Sequence, residues 1–579
     1  MTSVVILDGY IDEPTCFGVP PYISPYPRYI AGAIWSFEPF ADIKYYTIDQ
    51  LRNNQSLLLS FNQCDMLITI AGMAVPGRYL GGYPASPGEL TRFLHNIEKP
   101  LKILCGPAAR YGFGIAGGKR TKHLQPHDSI FDAVISGDPE IVITNLLKNQ
   151  YNLEEIDLSQ KRRNASEIKS FAVHGAQIIT QHPYYPNQLL AEIETYRGCP
   201  RSIIGGCSFC SEPSKGLPDF REQKDIHNEI QALYHNGLQH IRLGNQPCIF
   251  SYKAHHATID PVPKPDPEEI QKLFFGIRSV APNLKTIHID NANPGVLSKY
   301  PDECRHIAQI IVDNHTSGDV AALGVESVDP LVIEENNLKA TSEDVLQAIR
   351  LLNEIGGAQG KNGMPELLPG LNFLFGLKGE TMETFQLDYL FLKKILQEHL
   401  LLRRINIRQV IPIVGTPMDE IGIRMVQKHH RQFQRFKRRI QTEVEQPLLR
   451  LLLPKGTILT DVIAEKHEGN ITFGRQMGSY PLLIGIPGHL TIGKGYTVKV
   501  IDYGFRSITA LSYPTYINQV PRHILESIPF IGKKRASHIL LNRPFHSADE
   551  FITSFDDKHI AQQIVVYLSF EMDDNKEKI

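Results

Sequence analysis

Short apolar, β-branched runs recur along the chain at intervals long enough for a crossover helix, in two separate series. Parallel strands need a crossover of a dozen or more residues between them, so this pattern confines the chain to α/β architecture. The first series comprises Val4–Leu7, Ile43–Ile48, Met66–Ile70, Leu101–Leu104 and Ala133–Ile135, each closed by a Gly, Asp or Pro cluster. It predicts an open Rossmann-like domain over residues 1–150, with ligand-facing loops at the carboxyl ends of its strands. Residues 151–188 are polar and irregular, ending in His182-Pro183-Tyr184-Tyr185-Pro186, and read as a linker. The second series is Leu189–Tyr196, Gln239–Leu243, Thr286–Asp290, Val320–Val325, Gly370–Phe375 and Ile405–Ile411. Six such units predict a partial (β/α)6 barrel over residues 189–445. Within it, Val345, Leu346, Ile349, Leu352 and Ile355 repeat at helical spacing over Ser342–Gly356, with Ser342 as the cap.

Beyond the barrel the periodicity changes. Strand-like segments separated by glycines, among them Gly456–Leu459 and Tyr496–Ile501, predict a small β-barrel over 446–512. Residues 513–579 turn helical and end in the acidic tail Asp573-Asp574-Asn575. Sixty Lys+Arg face 62 Asp+Glu, which excludes nucleic-acid binding by bulk charge and leaves only local patches. Eight cysteines in 579 residues are too sparse for a disulfide framework. No apolar run reaches the ~18–20 residues that span a bilayer, and Met1–Asp8 lacks the pattern of a signal peptide. The expectation is a soluble, cytoplasmic chain without a membrane partner.

Three of the cysteines, Cys199, Cys207 and Cys210, fall within twelve residues directly after the first barrel strand, at the spacing CX7CX2C. Three thiolates on one loop can hold three irons of a cubane, leaving the fourth iron open for chemistry on a small molecule. A structural zinc ion and coincidental buried thiols are the alternatives, and zinc lacks a fourth Cys or His at finger-like spacing.

The segment Arg197-Gly198-Cys199-Pro200, with Phe209 before the last cysteine, resembles the radical S-adenosylmethionine (SAM) superfamily, whose hallmark is CX3CX2C. Here four extra residues separate the first two cysteines. Gly244-Asn245-Gln246 ends the second strand, where the family carries a Gly-Gly-Glu-like segment for the SAM amino group; the Glu is absent. Leu323-Gly324-Val325-Glu326-Ser327 is similar to the fourth-strand segment whose Glu-Ser binds the SAM ribose, a role that suits a carboxylate facing two vicinal hydroxyls. The alternative for Glu326 is an exposed helix-cap carboxylate. Gly370–Phe373 with Gly376-Leu377-Lys378-Gly379-Glu380-Thr381 matches the fifth strand, so the resemblance covers residues 189–430. It implies an enzyme with a 4Fe-4S cluster on the three cysteines. SAM would be cleaved reductively to a 5′-deoxyadenosyl radical with an electron from a donor such as ferredoxin or flavodoxin.

The flanking segments resemble the surroundings of other radical SAM barrels. Asp8-Gly9-Tyr10 and Ile135-Ser136-Gly137-Asp138-Pro139-Glu140 are edges of a cobalamin-binding-like domain, but the Asp-x-His-x-x-Gly motif that ligates cobalt is absent, which weighs against cobalamin. Cys16, Cys64 and Cys105 lie where methylthiotransferases carry a second cluster, yet their placement argues against convergence; Cys248 and Cys304 read as structural. Residues 446–512 resemble a TRAM-like RNA-binding barrel. Residues 513–553 resemble a helix-hairpin-helix module, with its hairpin at Leu525–Ala536 and Phe530 in place of the first glycine, so phosphate binding and a packing or docking role both remain open. Residues 401–440 carry ten Lys/Arg against two Asp/Glu, consistent with a solvated helix face or with an RNA surface. The layout resembles the largely archaeal radical SAM proteins with a carboxyl-terminal helix-hairpin-helix. RNA (tRNA or rRNA), modified by methylation or methylthiolation, is the first expectation for the substrate. A small molecule or protein side chain is the second, and a non-catalytic iron–sulfur nucleic-acid-binding protein the third.

Overall fold

The computed structural model describes residues 2–13, 16–73, 82–114, 116–123 and 130–570, with the side chains of 12–17 excepted; the acidic tail lies outside them. The first strand series forms one parallel sheet in the order Asp42–Thr47, Ser3–Asp8, Met66–Ile70, Leu101–Cys105, Ala133–Val134. Both faces of its central strands are covered, so Val4–Leu7 and Met66–Ile70 are apolar throughout rather than alternating. Cys64 and Cys105 are buried at opposite ends of this sheet, one before the start of a strand and the other at the carboxyl end of its neighbour. They cannot meet around one cluster.

The second series forms the expected six barrel strands, in two parallel four-stranded sheets. One contains Thr286–His288, His240–Gly244, Leu190–Glu194 and the short Tyr22–Ile23; the other contains Asn291–Ala292, Asp319–Glu326, Leu367–Phe375 and Arg404–Gln409. The third barrel strand is thus interrupted between His288 and Asn291, and Tyr22–Ile23, from the amino-terminal segment, adds an edge beside the first. The helix Ser342–Gly356 forms as expected, but its cap is Thr341, whose side chain accepts from the Asp344 amide in a capping box.

The polar stretch 151–188 differs from the linker expected of it. Ala165, Ile168, Ala172, Ala176, Ile178 and Ile179 are buried. The short helix Lys169–His174 and the 3-10 turn after it pack on the helix Pro25–Phe37. Gly32 and Gly175 make that approach: a Cβ on either would collide with the facing backbone. Arg28, on the same helix, is buried and ion-paired with the buried Glu229 of the barrel. One apolar cluster consequently runs from Val4 to Leu448, joining the amino-terminal sheet and the barrel in a shared core.

Residues 458–512 form a closed five-stranded barrel: Ile458–Glu468, Ile471–Gln476, Leu483–Pro487, Ser507–Ser512 and Gly495–Tyr503. Its loop before Leu483 reaches back into the large barrel, where Tyr22 Oη donates to the Gly478 carbonyl and Ser479 N donates to His288 Nδ1. The helices Arg522–Leu525, Lys533–Asn542, Ala548–Thr553 and Lys558–Val565 pack around a core of their own. In the turn before Lys533, Phe530 adopts φ +71°, the left-handed region that favours glycine, and its ring is 50% exposed.

Candidate active site

The first barrel strand runs on through Tyr196–Arg197 into the cysteine loop. Gly198, at φ +82°, passes so close to the Gly216 and Leu217 carbonyls that a side chain would collide with them. The Cys199 amide then donates to the Gly216 carbonyl at 3.1 Å. Pro200–Ile204 is a 3-10 turn, and Gly205 and Gly206, at φ +81° and +68°, reverse the chain into Cys207. The Cys210 amide closes the last turn on the Cys207 carbonyl at 3.1 Å. The long spacer is therefore one helical turn plus a two-glycine reversal, which brings the three thiols within electrostatic reach of one another. Burial pushes all three upward, Cys199 to about 11. Among the described residues no three His, Cys, Asp or Glu side chains gather around a single point for one metal ion. A cubane needs no such point, because each thiolate takes a different iron.

Two residues that the sequence did not single out hold this loop. Asn337 Nδ2 donates to the Ile204 and Gly206 carbonyls at 2.9 and 2.7 Å, and Asn336 Oδ1 accepts from the Ser208 hydroxyl at 2.8 Å. Arg201 in turn donates to the Asn337 carbonyl at 2.6 Å. From the other side, Arg197 donates to Asp138 at 2.6 Å, and Asp138 also accepts from Arg110 and from the Arg162 amide. Burial alone would raise that carboxyl, but Arg197, Arg162 and Arg110 hold it at about 2. The Gly137-Asp138-Pro139 edge of the amino-terminal domain thus anchors the approach to the first cysteine.

A cavity of about 370 Å³ opens at the carboxyl ends of the last barrel strands. Phe209 and Glu326 line it together with Asn372, Arg404, Arg408 and Tyr480, while Met73, Ala116 and Gly117 reach it from the amino-terminal domain. A register shift between Gly324 and Glu326, with Glu326 at φ +65°, re-aims that side chain at the cavity. Glu326 makes no hydrogen bond or ion pair among the described residues. Burial raises its carboxyl to about 7, with Lys339 and Arg408 pulling the other way. Lys339 also acts on Cys199 and Cys207, and is another residue that sequence reasoning missed.

The remaining predicted residues do not line this cavity. Gly244 is required because a Cβ would collide with the Glu192 carboxylate. Asn245, at φ +53°, donates to Glu194 Oε2 at 2.9 Å and faces a small polar recess with Arg197 and Lys215. Gln246 donates to the Leu243 carbonyl at 3.0 Å. Their amide oxygens, Asn245 Oδ1 and Gln246 Oε1, are buried and accept no hydrogen bond. Buried acceptors are rarely left unmade, so these two mark places where a donor is missing. The Ser327 hydroxyl, in contrast, donates to Asp388 Oδ1 at 3.2 Å and accepts from the Asp329 amide, so it is taken up by the turn after the strand. Glu326 is no helix cap, since Asp329 caps the following helix. Three clustered thiols, an unbonded carboxylate for a diol and two orphaned amide oxygens fit a cubane with a ligand that carries hydroxyl and ammonium donors.

Residues 193–392 match the model of the Radical SAM superfamily. An uncharacterised protein of Methanocaldococcus jannaschii is 48% identical over 509 residues, spanning 87% of this chain and 92% of that protein. One from Archaeoglobus fulgidus is 39% identical over 548 residues, spanning 95% and 96%. Among solved structures, the radical SAM methyltransferase TsrM from Kitasatospora setae is similar, with 13% identity, TM-score 0.46 and coverage of 72% of this chain and 75% of that one. The chain thus carries a Radical SAM superfamily domain over residues 193–392 and belongs to one family with these archaeal proteins.

Proposed function

We propose that this enzyme modifies RNA, with a nucleotide drawn into the cavity beside Phe209 and Glu326. Cys199, Cys207 and Cys210 would hold three corners of a 4Fe-4S cluster, and Glu326 would accept from the ribose hydroxyls of SAM. When bound, cluster and SAM supply one-electron chemistry that removes a hydrogen atom from a C–H bond. Phe209 and the apolar cluster around Cys207 keep water from that end of the cavity. An external one-electron donor such as ferredoxin or flavodoxin completes the scheme.

The observation that carries the RNA reading is the helix His430–Ile440. Phe433 and Phe436 anchor it against Phe375, while Gln434 and Lys437 line the cavity. Arg431, Arg435 and Arg438 are exposed on the same helix, so a basic face leads away from the cavity. Arg439 is committed to Glu443 and to the Tyr389 ring. Replacing Arg431, Arg435 and Arg438 with Gln should flatten the slope of log affinity for total tRNA and rRNA against log salt by ~2–3 units. Salt-independent binding, or none, would move the weight to a small anionic substrate, the reading that the charged cavity wall also admits.

A further inference from the structure

Among the described residues, the wall of the cavity carries more positive than negative charge. Arg404, Asn406 and Arg408 alternate along the last barrel strand and all line the cavity, as the two-residue period of a strand requires. With Lys437 they make three cations against one carboxylate, Glu326. Tyr480, delivered by the small β-barrel in the left-handed conformation at φ +52°, stands between two arginines. The guanidinium carbon of Arg242 is 5.2 Å from the ring centroid and that of Arg404 is 3.3 Å.

The two arginines differ in their partners. Arg242 is buried and ion-paired with Glu192 and Asp290, and Asp290 also accepts from the Tyr480 hydroxyl at 2.9 Å. Arg404 has no ion pair among the described residues. It donates to Asn372 Oδ1 at 3.2 Å, and its Nε is shielded from solvent without a partner. Burial above all presses its pKa down, with Arg408 and Arg242 adding to it and Tyr480 and Asp290 offsetting part of it, so its charge is held at a cost. An unpaired charge away from water is expensive, and a guanidinium fork matches the geometry of a carboxylate or a phosphate.

We infer that Arg404, oriented by Tyr480 and Asn372, binds an anionic group of the substrate, a carboxylate or a phosphate. This rests on the reading that the substrate enters this cavity. A neutral group would leave the Arg404 charge as it is, whereas an anion removes the imbalance. The anion is taken to be one other than the SAM carboxylate, a distinction that the SAM affinity of the Arg404 variants tests. The small β-barrel, through Tyr480, is thereby part of the substrate site.

The test titrates the anaerobically iron-loaded, full-length protein with inorganic phosphate and, separately, with acetate, following each by NMR line broadening. At least one of them should bind the wild type. Preference for phosphate would assign a phosphate substituent, and preference for acetate a carboxylate. Arg404→Gln should weaken the preferred anion by about tenfold or more, as loss of one charge-assisted contact implies, with SAM affinity unchanged. Arg404→Lys keeps charge and bulk and serves if the glutamine variant does not fold. It should lose about threefold, because one ammonium replaces a fork. Three results overturn the inference: no binding of either anion to wild type, wild-type affinity in a folded Arg404 variant, or parallel loss of SAM binding in Arg404→Gln. Failure of the wild type to bind iron or SAM would instead count against the cysteine and Glu326 assignments, which the same titrations monitor.

Discussion

Glu326 offers a titration that separates its assigned role from a structural one. Its carboxyl is raised by burial to about 7, and only the ionised form is a full acceptor for both ribose hydroxyls. A group with that pKa is about nine-tenths ionised at pH 8 and about one-tenth at pH 6. SAM affinity of the cluster-loaded wild type should therefore fall about tenfold between those values, equivalent to about 1.4 kcal/mol. Glu326→Gln removes the charge at every pH. Charge-assisted bonds contribute about 1.5–3 kcal/mol, so the variant should bind roughly tenfold to a hundredfold more weakly at pH 8, the gap narrowing towards pH 6. Calorimetry in two buffers of different ionisation enthalpy reads both the affinity and the proton released by the wild type near pH 7. Titration of SAM itself is common to both proteins and cancels in the comparison. Equal affinities at pH 8, or parallel pH profiles, would remove Glu326 from the ribose site.

Two further outcomes follow from the same geometry. Asn337→Ala strips the donors from the Ile204 and Gly206 carbonyls, a loss of about 1–3 kcal/mol confined to the cysteine loop. Chelators should then extract iron about tenfold to a hundredfold faster with little change in Tm; extraction at the wild-type rate would show that Asn337 does not hold the loop. Asp388 is raised by burial to about 8, far above its unfolded value, so the folded state keeps its proton longer. Its contribution to stability is present below about pH 4 and is lost as pH rises through about 8. Asp388→Asn should flatten the fall in urea midpoint between pH 5 and pH 8, and an unchanged slope would assign that fall elsewhere.

The strands of the amino-terminal sheet were legible because a parallel sheet covered on both faces writes itself as continuous apolar runs, and the six barrel segments also fall where expected, although Arg404–Gln409 alternates polar and apolar residues. The packing of 151–188 was not legible. Its buried residues, such as Ile168 and Ala172, are spaced among polar ones, and the close approach of Gly32 and Gly175 depends on a helix far away in sequence. At the site, spacing and a local segment singled out the three cysteines, which share one loop, and Glu326, which lines the cavity. The bond of the Ser327 hydroxyl to Asp388 was not legible, because Asp388 lies 61 residues further along the chain. Asn336, Asn337 and Lys339 directly follow the helix after Glu326, and position behind a segment that resembles a ribose-binding one was the signal that could have found them. The pairing of Arg404 with Tyr480 has no local signal, since their meeting is made by the chain turning back from a second barrel into the first.

The central claim is that Cys199, Cys207 and Cys210 hold a cluster that binds SAM. Anaerobic reconstitution followed by iron and sulfide analysis and by electron paramagnetic resonance of the reduced protein tests it most directly. The wild type should hold about four irons and four sulfides per chain and show a reduced-cluster signal that shifts when SAM is added, and both should be lost in the protein with all three cysteines replaced by Ala. One zinc and no iron in the wild type, or a full cluster in the triple variant, would contradict it.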